Sequence, residues 1–554
     1  MPCASGLPDE IAGRAAYHGR SMPRITVDGR TIDFREQQTI LQACLEAGIE
    51  IPHYCYHPGL SIVASCRICL VEVEGVPKLL PSCQTLARDG MVVYTRSPAV
   101  VANQKAVMEY LLISHPLDCP VCDQAGECLL QDYSYRYGRA EARFAEEKHK
   151  RPKKDLGPHV LLYNDRCIMC SRCVRFTREV SGTCELYVDG RGHRAEIDIF
   201  PGKPLDNPLS GNVVDLCPVG ALLDKDFLFR QRVWLLSRTP SISPADSGGE
   251  NIYIEHNEGV VYRIKPRYNP LVNRWWISDD TRYSYKALYD PRRLKTARRM
   301  QYNAQVETTI ERAMADADRL LRQTAAGATG VLFAVLSPML ACEEAWLLGR
   351  YIRTIDPGAV LVAGPAPTTG QDTVLRHYLT GRETFRIRAE KVPNAAGIRR
   401  VMEMLGGPTA AWEALVRSDT PELKALRGGW IVGGYHGGWP AADQPPQFRK
   451  GLRIVQDILP GPLADAAEVF IPGALWAEKD GCWENCQGLV QVFAAAVPAP
   501  AGVVAEGEVY ARLLRRAGGY QAAALRREMG GVFATAMEPA EQGPATRGLE
   551  FVEI

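Results

Sequence analysis

The chain has 554 residues, 46% hydrophobic and 23% charged, a balance that suits several globular domains and excludes wholesale disorder. Its 65 Lys and Arg against 64 Asp and Glu leave a net charge of +1, which argues against nucleic acid or an anionic membrane surface as the main partner. No apolar run reaches the roughly 18 residues of a bilayer-spanning helix; the best, 330–336, soon meets Ser337 and Pro338.

Residues 1–21 are polar and mixed and read as a disordered extension, with Met22 as an alternative start. Arg24–Val27 then predicts a strand, Asp28-Gly29 a hairpin turn and residues 31–34 the return strand. Ile40, Leu41, Cys44 and Leu45 fall at helical spacing within residues 39–47, and Gly48 supplies the stop. Strand, turn, strand, helix and a cysteine-bearing loop make the opening of a β-grasp ferredoxin. A helix is expected over about 101–114, delivering His115 into a proline-bearing loop. The basic run 148–154 reads as a solvated linker, because the rest of the chain is not basic. Residues 252–254 and 260–264 predict a hairpin through Asn257-Glu258-Gly259. From residue 307 on, strand-like runs at 331–336, 360–363, 430–432 and 469–471 alternate with helical stretches, which suggests α/β layers. Residues 497–507, rich in Pro, Ala and Gly, predict a loop.

Seventeen cysteines are present, fourteen of them before residue 220. An odd count in a long chain with no apolar signal-peptide core argues against a secreted disulfide framework, and clustered thiols in a reducing compartment point to metal. The first set is Cys55, Cys66, Cys69 and Cys83, spaced C-x10-C-x2-C-x13-C. Four thiolates so placed can hold a two-iron, two-sulfide core, with Ser65 and Arg67 letting the backbone wrap close; a four-cysteine zinc site uses similar hairpins and stays open. The second set is His115, Cys119, Cys122 and Cys128, spaced H-x3-C-x2-C-x5-C. A neutral imidazole among thiolates leaves a site with one negative charge fewer; a three-cysteine, one-histidine zinc site is also allowed. The third set, Cys167, Cys170 and Cys173 with a remote Cys217-Pro218, has the bacterial-ferredoxin arrangement. Three thiolates two residues apart meet three corners of a cubane and the distant one takes the fourth. Zinc usually takes cysteines in pairs, so it explains this triple poorly. Cys3, Cys44, Cys184 and Cys342 are isolated, and Cys482 and Cys486 form a spacing-three pair without further ligands nearby.

What would complete a reaction is missing from the pattern. No strand–GxGxxG–helix unit, Walker loop or nucleophile–base set stands out. Gly433-Gly434-Tyr435-His436-Gly437-Gly438 follows a strand but runs into Trp439-Pro440 instead of a helix, and reads as a loop. No catalytic residue is assigned.

The three sets in this order, with the rare His115 ligand and its flank Leu117-Asp118-Cys119-Pro120-Val121-Cys122-Asp123, resemble the large iron–sulfur subunit of NADH:quinone oxidoreductase, respiratory complex I. More weakly, residues 251–263 and 464–491, the latter with Ala477-Glu478-Lys479-Asp480-Gly481, look like parts of a molybdopterin-oxidoreductase-type domain. The resemblance implies an α+β multidomain protein: residues 22–99 a 2Fe-2S ferredoxin-like domain, 100–139 a His-Cys3 4Fe-4S domain and 140–235 a 4Fe-4S ferredoxin-like domain. Residues 236–292 would be a degenerate segment without a cluster, since residues 239–249 carry no cysteine where some members hold a fourth cluster. Residues 293–554 would be a reduced molybdopterin-oxidoreductase-like α/β domain. The implied cofactors are one 2Fe-2S and two 4Fe-4S clusters, with no molybdopterin, FMN or NAD on this chain.

The implied role is an electron relay, an oxidoreductase subunit without its own substrate site. Electrons would come from a flavin-bearing, NADH-oxidising partner to the two-iron cluster, pass to the Cys167/Cys170/Cys173/Cys217 cubane, and leave from the His115 site to a further iron–sulfur subunit. Such a subunit is peripheral, on the cytoplasmic side of the inner membrane, and meets the membrane arm only indirectly. Two other readings keep their place: a diaphorase-module subunit of a soluble NAD-linked hydrogenase or formate dehydrogenase, and a zinc-stabilised scaffold without redox activity.

Overall fold

A computed structural model describes residues 22–418, 420–441 and 451–539. The extension predicted for residues 1–21, and Cys3 with it, lie outside the described residues.

The first layer is a five-stranded sheet in the spatial order Arg30–Asp33, Arg24–Val27, Val92–Tyr94, Leu70–Val73, Leu80–Pro81. Its opening hairpin turns on Asp28 (φ 49°) and Gly29 (φ 85°), both left-handed, the turn that matches the twist of paired strands. Across the sheet lies the helix Ile40–Glu46, started by a capping box in which Thr39 and Gln42 satisfy each other's backbone N–H groups. Ile25, Val27, Ile40, Leu41, Cys44, Val71 and Val93 close the core between them. The helix expected to begin near residue 101 begins at Pro98 and runs to Leu112, because Ser97 caps it and Pro98 pre-sets the first turn.

The next region is built from a three-stranded sheet (Leu222–Asp224, Val160–Tyr163, Lys153–Asp155), a hairpin (Leu186–Asp189 with Glu196–Ile199) and the helix Arg172–Glu179. The basic run 148–154 departs from a solvated linker. Lys148 donates to the carbonyls of Leu112 (2.7 Å) and Ile113 (3.1 Å), ending the helix before it, and Arg151 donates to those of Ala195 and His193 (2.7 Å each). Lys154 lies on an edge strand and reaches Glu196 and Asp198. Cations answering carbonyls and carboxylates strap two elements together here.

The predicted hairpin is Asn251–Asn257 with Val260–Pro266, and a third strand, Ser237–Ile242, pairs with its first arm. That edge strand is polar, carries Pro240 and is exposed over its first half, so it lacks a strand's apolar signature.

The remainder is organised on an eight-stranded sheet in the order Ala304–Thr308, Ala297–Gln301, Val469–Pro472, Leu452–Asp457, Gly428–Val432, Leu332–Leu336, Val360–Ala363, Thr409–Ala411. The last six are mutually parallel and the first two form an antiparallel hairpin on the edge. Numbered along the chain, the parallel strands lie 6-5-4-1-2-3, the doubly wound order, with the direction of winding reversing between Leu332–Leu336 and Gly428–Val432. All five residues of both strands are buried, as a sheet covered on two faces requires. The loop expected over residues 497–507 is shorter than that, since Glu506 and Gly507 open the helix Glu506–Leu513. The whole is a mixed α/β chain in which small sheets and long loops carry the cysteines.

Candidate functional site

The first set is drawn together by the loops around the opening sheet. Cys55 follows the helix Ile40–Glu46, Cys66 and Cys69 lead into the strand Leu70–Val73, and Cys83 follows the strand Leu80–Pro81. Cys55, Cys69 and Cys83 are buried and Cys66 partly so. Hydrogen bonds from Cys66 and Cys83 hold the Cys55 thiol low, and the same bonds together with burial push Cys66 and Cys83 up. A bond from Cys83 brings Cys69 to about 7. Four thiols hydrogen-bonded to one another are a group ready to bind through sulfur. Ala64 (φ 49°) and Arg67 (φ 58°) are left-handed without being glycine, so the loop bends sharply around Cys66.

The second set is looser. Cys119 lies exposed at the start of the short helix Cys119–Val121, while Cys122 and Cys128 are buried, Cys128 at the start of the helix Leu129–Tyr137. Burial pushes Cys128 up to about 12, with Cys122 and Cys119 adding to it. His115 is brought down to about 4 by burial first and then by Arg166 and Lys148, so its imidazole is neutral and keeps a free lone pair at neutral pH. The interactions join the three thiols to one another; those of His115 run to Arg166, Lys148 and Asp118.

The third set converges fully. Cys167, Cys170, Cys173 and Cys217 line a single small cavity, walled by Leu162, Ile168, Ile197, Val219, Ala221 and Leu222. Met169 (φ 52°) and Ser171 (φ 59°), left-handed residues between the cysteines, fold the loop into a concave turn, and the Met169 N–H reaches the Cys167 sulfur at 3.4 Å. Ser171 then opens the helix Arg172–Glu179, which carries Cys173 in its first turn. Burial pushes Cys167 up to about 12 and Cys217 up to about 11. An apolar chamber ringed by four thiols fits a polynuclear cage, whose ligands stand apart by the width of the cage. Among the described residues no three His, Cys, Asp or Glu side chains close on one point as the shell of a single ion does.

The second and third sets touch. A Cβ built on Gly220, three residues after Cys217, would stand 2.2 Å from the Cys122 sulfur, so only glycine fits. Leu129, next to Cys128, donates its N–H to the carbonyl of Pro218 at 3.0 Å. Arg166 binds Asp118 through Nε and Nη2 (3.0 and 2.7 Å) and reaches the Gly220 carbonyl at 3.4 Å.

Sequence reasoning overlooked the arginines. Arg166, Arg172 and Arg175 are all nine-tenths buried beside the cysteines. Their signal was available: cations interleaved with ligands in Arg166-Cys167 and Arg172-Cys173-Val174-Arg175. The isolated cysteines also resolve differently. Cys482 is buried and hydrogen-bonded to Cys342, whereas Cys486 is exposed, so the spacing-three pair parts and Cys342 is not isolated.

Four family models match in succession: the 2Fe-2S iron-sulfur cluster binding domain over residues 20–98, the NADH-ubiquinone oxidoreductase-G iron-sulfur binding region over 104–143, the NADH-quinone oxidoreductase subunit 3 ferredoxin-like domain over 157–223, and the NDSU1/NuoG-like 4Fe-4S domain over 236–286. The last segment contains no cysteine in this chain. The G subunit of NADH-quinone oxidoreductase from Rickettsia conorii is 45% identical over 267 residues, 48% of this chain and 40% of that protein. The NADH-ubiquinone oxidoreductase 75 kDa subunit of Reclinomonas americana is 47% identical over 267 residues, 48% of this chain and 39% of that protein. The 78 kDa mitochondrial subunit of Neurospora crassa is 48% identical over 266 residues, 48% of this chain and 36% of that protein. A solved chain of NAD+-reducing [NiFe]-hydrogenase matches at 32% identity over 38% of this chain and 92% of that one, with a TM-score of 0.36, too low to define a shared fold. The matches thus span about two fifths of the curated relatives' length. Over its cysteine-rich half, this chain is similar to the NADH-quinone oxidoreductase G subunits and their mitochondrial 75-kDa counterparts.

Proposed function

We propose that the chain is an electron relay of NADH:quinone oxidoreductase. In this reading Cys55, Cys66, Cys69 and Cys83 hold a 2Fe-2S cluster; His115, Cys119, Cys122 and Cys128 hold one 4Fe-4S cluster; and Cys167, Cys170, Cys173 and Cys217 hold another. When bound, such clusters accept and donate single electrons. The protein's own work is placement and environment. The apolar walls around the third set keep water from the thiolates, the left-handed turns aim backbone N–H groups at sulfur, and the contact of Gly220 with Cys122 keeps the second and third sets adjacent. The observation that carries the reading is the third set: four thiols from two remote segments meeting around one apolar cavity.

The domain divisions 22–99, 100–139, 140–235, 236–292 and 293–554 belong to the same proposal, as does a molybdopterin-oxidoreductase-like origin for the last, supported by its doubly wound strand order alone. So do the partners: a flavin-bearing NADH-oxidising subunit on one side and a further iron–sulfur subunit on the other. No helix among the described residues is long and apolar enough to cross a membrane. A peripheral place on the cytoplasmic face of the inner membrane, held through partners, is part of the proposal.

Anaerobically purified protein is expected to be brown and to carry about ten irons and ten acid-labile sulfides. After dithionite reduction, low-temperature EPR should resolve one two-iron and two four-iron signals. A colourless protein with stoichiometric zinc would overturn the relay. Recovery with a soluble hydrogenase, without membrane quinone reductase partners, would keep the clusters and replace the complex.

A further inference from the structure

The helix Arg172–Glu179 belongs to the third set, since Cys173 lies in its first turn, yet one of its faces grips the loop of the first set. Arg172 donates through Nη2 to the Tyr56 carbonyl (2.6 Å) and through Nη1 to the Leu216 carbonyl (3.2 Å), next to Cys217. Arg175 donates through Nη2 to the carbonyls of both Cys55 (2.5 Å) and Cys170 (3.4 Å), and through Nη1 to that of Ser61. Glu179 accepts from the Ser61 N–H (2.8 Å) and hydroxyl (2.5 Å). Residues 172, 175 and 179 lie on one stripe of the helix, at the spacing that brings side chains into line.

The two guanidinium groups are also electrically unmatched. Arg172 and Arg175 are 7% and 8% exposed, and among the described residues neither forms an ion pair with a carboxylate. All their bonds above go to neutral carbonyls, and the Nε of each has no partner. Arg172 lines the cavity ringed by Cys167, Cys170, Cys173 and Cys217. A buried guanidinium cannot shed its proton, so an anion has to stand near it, and a cage ligated by four thiolates is one.

We propose that Arg172 and Arg175 are positioning residues that hold the first and third clusters at a fixed separation and supply the positive charge between them. The inference rests on the relay reading and deepens it. Positive charge favours the reduced, more negative form of a neighbouring cluster, so both midpoints stand higher with the arginines than without them. With both clusters bound, passage between the sites would be the transfer of one electron from the first set to the third, with no proton or bond exchanged.

The test is potentiometric EPR on the assembled complex carrying Arg175→Met, Arg175→Lys and Arg172→Gln. Arg175→Met should lower the midpoints of the first-set and third-set signals by about a tenfold change in each one-electron equilibrium, ~59 mV, and leave the second-set signal in place. Arg175→Lys keeps the charge and should restore most of the shift. Its single ammonium cannot span the carbonyls of Cys55 and Cys170 together, so the spin–spin broadening between the two reduced clusters should change. If Arg175→Met fails to assemble, Arg172→Gln carries the same prediction. Full iron content with both midpoints moved less than threefold in equilibrium, in whichever of Arg175→Met and Arg172→Gln assembles, would overturn the inference. Absence of cluster signals from the unsubstituted protein would instead overturn the relay itself.

Discussion

In the cysteine-rich half, Arg166 meets the Asp118 carboxylate, but the buried Arg172 and Arg175 end on backbone carbonyls beside thiols. In the sheet half, buried cations end on carboxylates. Lys479 lies between Glu344 (2.9 Å) and Glu506 (3.0 Å), Arg293 binds Glu478 through two nitrogens (2.6 and 2.5 Å), and Arg526 binds Glu343 at 2.9 Å. The Lys479 group also lines the crevice where the parallel sheet reverses its winding, the place where open α/β sheets usually take ligands. There the protein's own side chains settle the charge. At Arg172 and Arg175 the protein leaves positive charge without a carboxylate, as the proposed anionic cluster would require. The contrast sets a carboxylate-matched cation at Lys479 against the two carbonyl-bound guanidinium groups of Arg172 and Arg175.

Two substitutions should break the two halves independently. Cys170→Ser removes a thiol from the third-set cavity and should have the largest functional effect: loss of one cubane EPR signal and of electron transfer to quinone, with the partner's NADH–ferricyanide activity spared. Hydrogen exchange of Leu332–Leu336 and Gly428–Val432 should stay as slow as in the unsubstituted protein. Loss of the ferricyanide activity as well would contradict the assignment of the relay to this chain. Lys479→Ala should do the reverse. It leaves two buried carboxylates facing each other, and breaking a buried pair from one side costs about 3–5 kcal/mol. Chemical denaturation should show that loss in the sheet half while the cluster signals persist. Retained stability would mean that Glu344 and Glu506 take up protons at little cost.

How far this was legible from the sequence differs between the halves for physical reasons. Spacing is local, so the grouping of Cys167, Cys170 and Cys173 could be read directly, with Cys217 added from its Pro218, and the structure brings the four to one cavity. Hairpin turns at Asp28-Gly29 and Glu258-Gly259 were legible because their left-handed dihedrals select those residues. The helix start at Pro98 was missed although Ser97-Pro98 is a cap signal, because the apolar period begins later. The strand Ser237–Ile242 was missed because an exposed edge needs no apolar face. The meeting of Cys342 with Cys482, 140 residues apart in sequence, and that of Arg175 with Cys55, 120 apart, belong to tertiary packing, and no spacing rule reaches them.

Glu250 is the mirror image of the unmatched arginines and gives the mildest way to sharpen the comparison. Its carboxyl is 4% exposed, accepts from the Ser278 N–H (3.0 Å) and hydroxyl (3.3 Å), and leaves Oε1 without a partner. Burial first, and Asp246 second, push its pKa up to about 8. A carboxyl can escape an unpaired buried charge by keeping its proton, whereas a guanidinium cannot. The sign follows from proton counting. Between the ordinary carboxyl pKa near 4.5 and the folded value near 8, the native state holds a proton that the unfolded chain has released, so stability falls as pH rises through that window. The slope from this one group is at most ~1.4 kcal/mol per pH unit. Glu250→Gln keeps the neutral hydrogen-bonding shape and should remove that slope. Chemical denaturation at pH 6 and pH 8.5 should then find that the unsubstituted protein loses more stability between the two pH values than the variant does. Parallel pH profiles for the two proteins would mean that Glu250 is already ionised when folded, with a cation close enough to compensate it, and the mirror would fail.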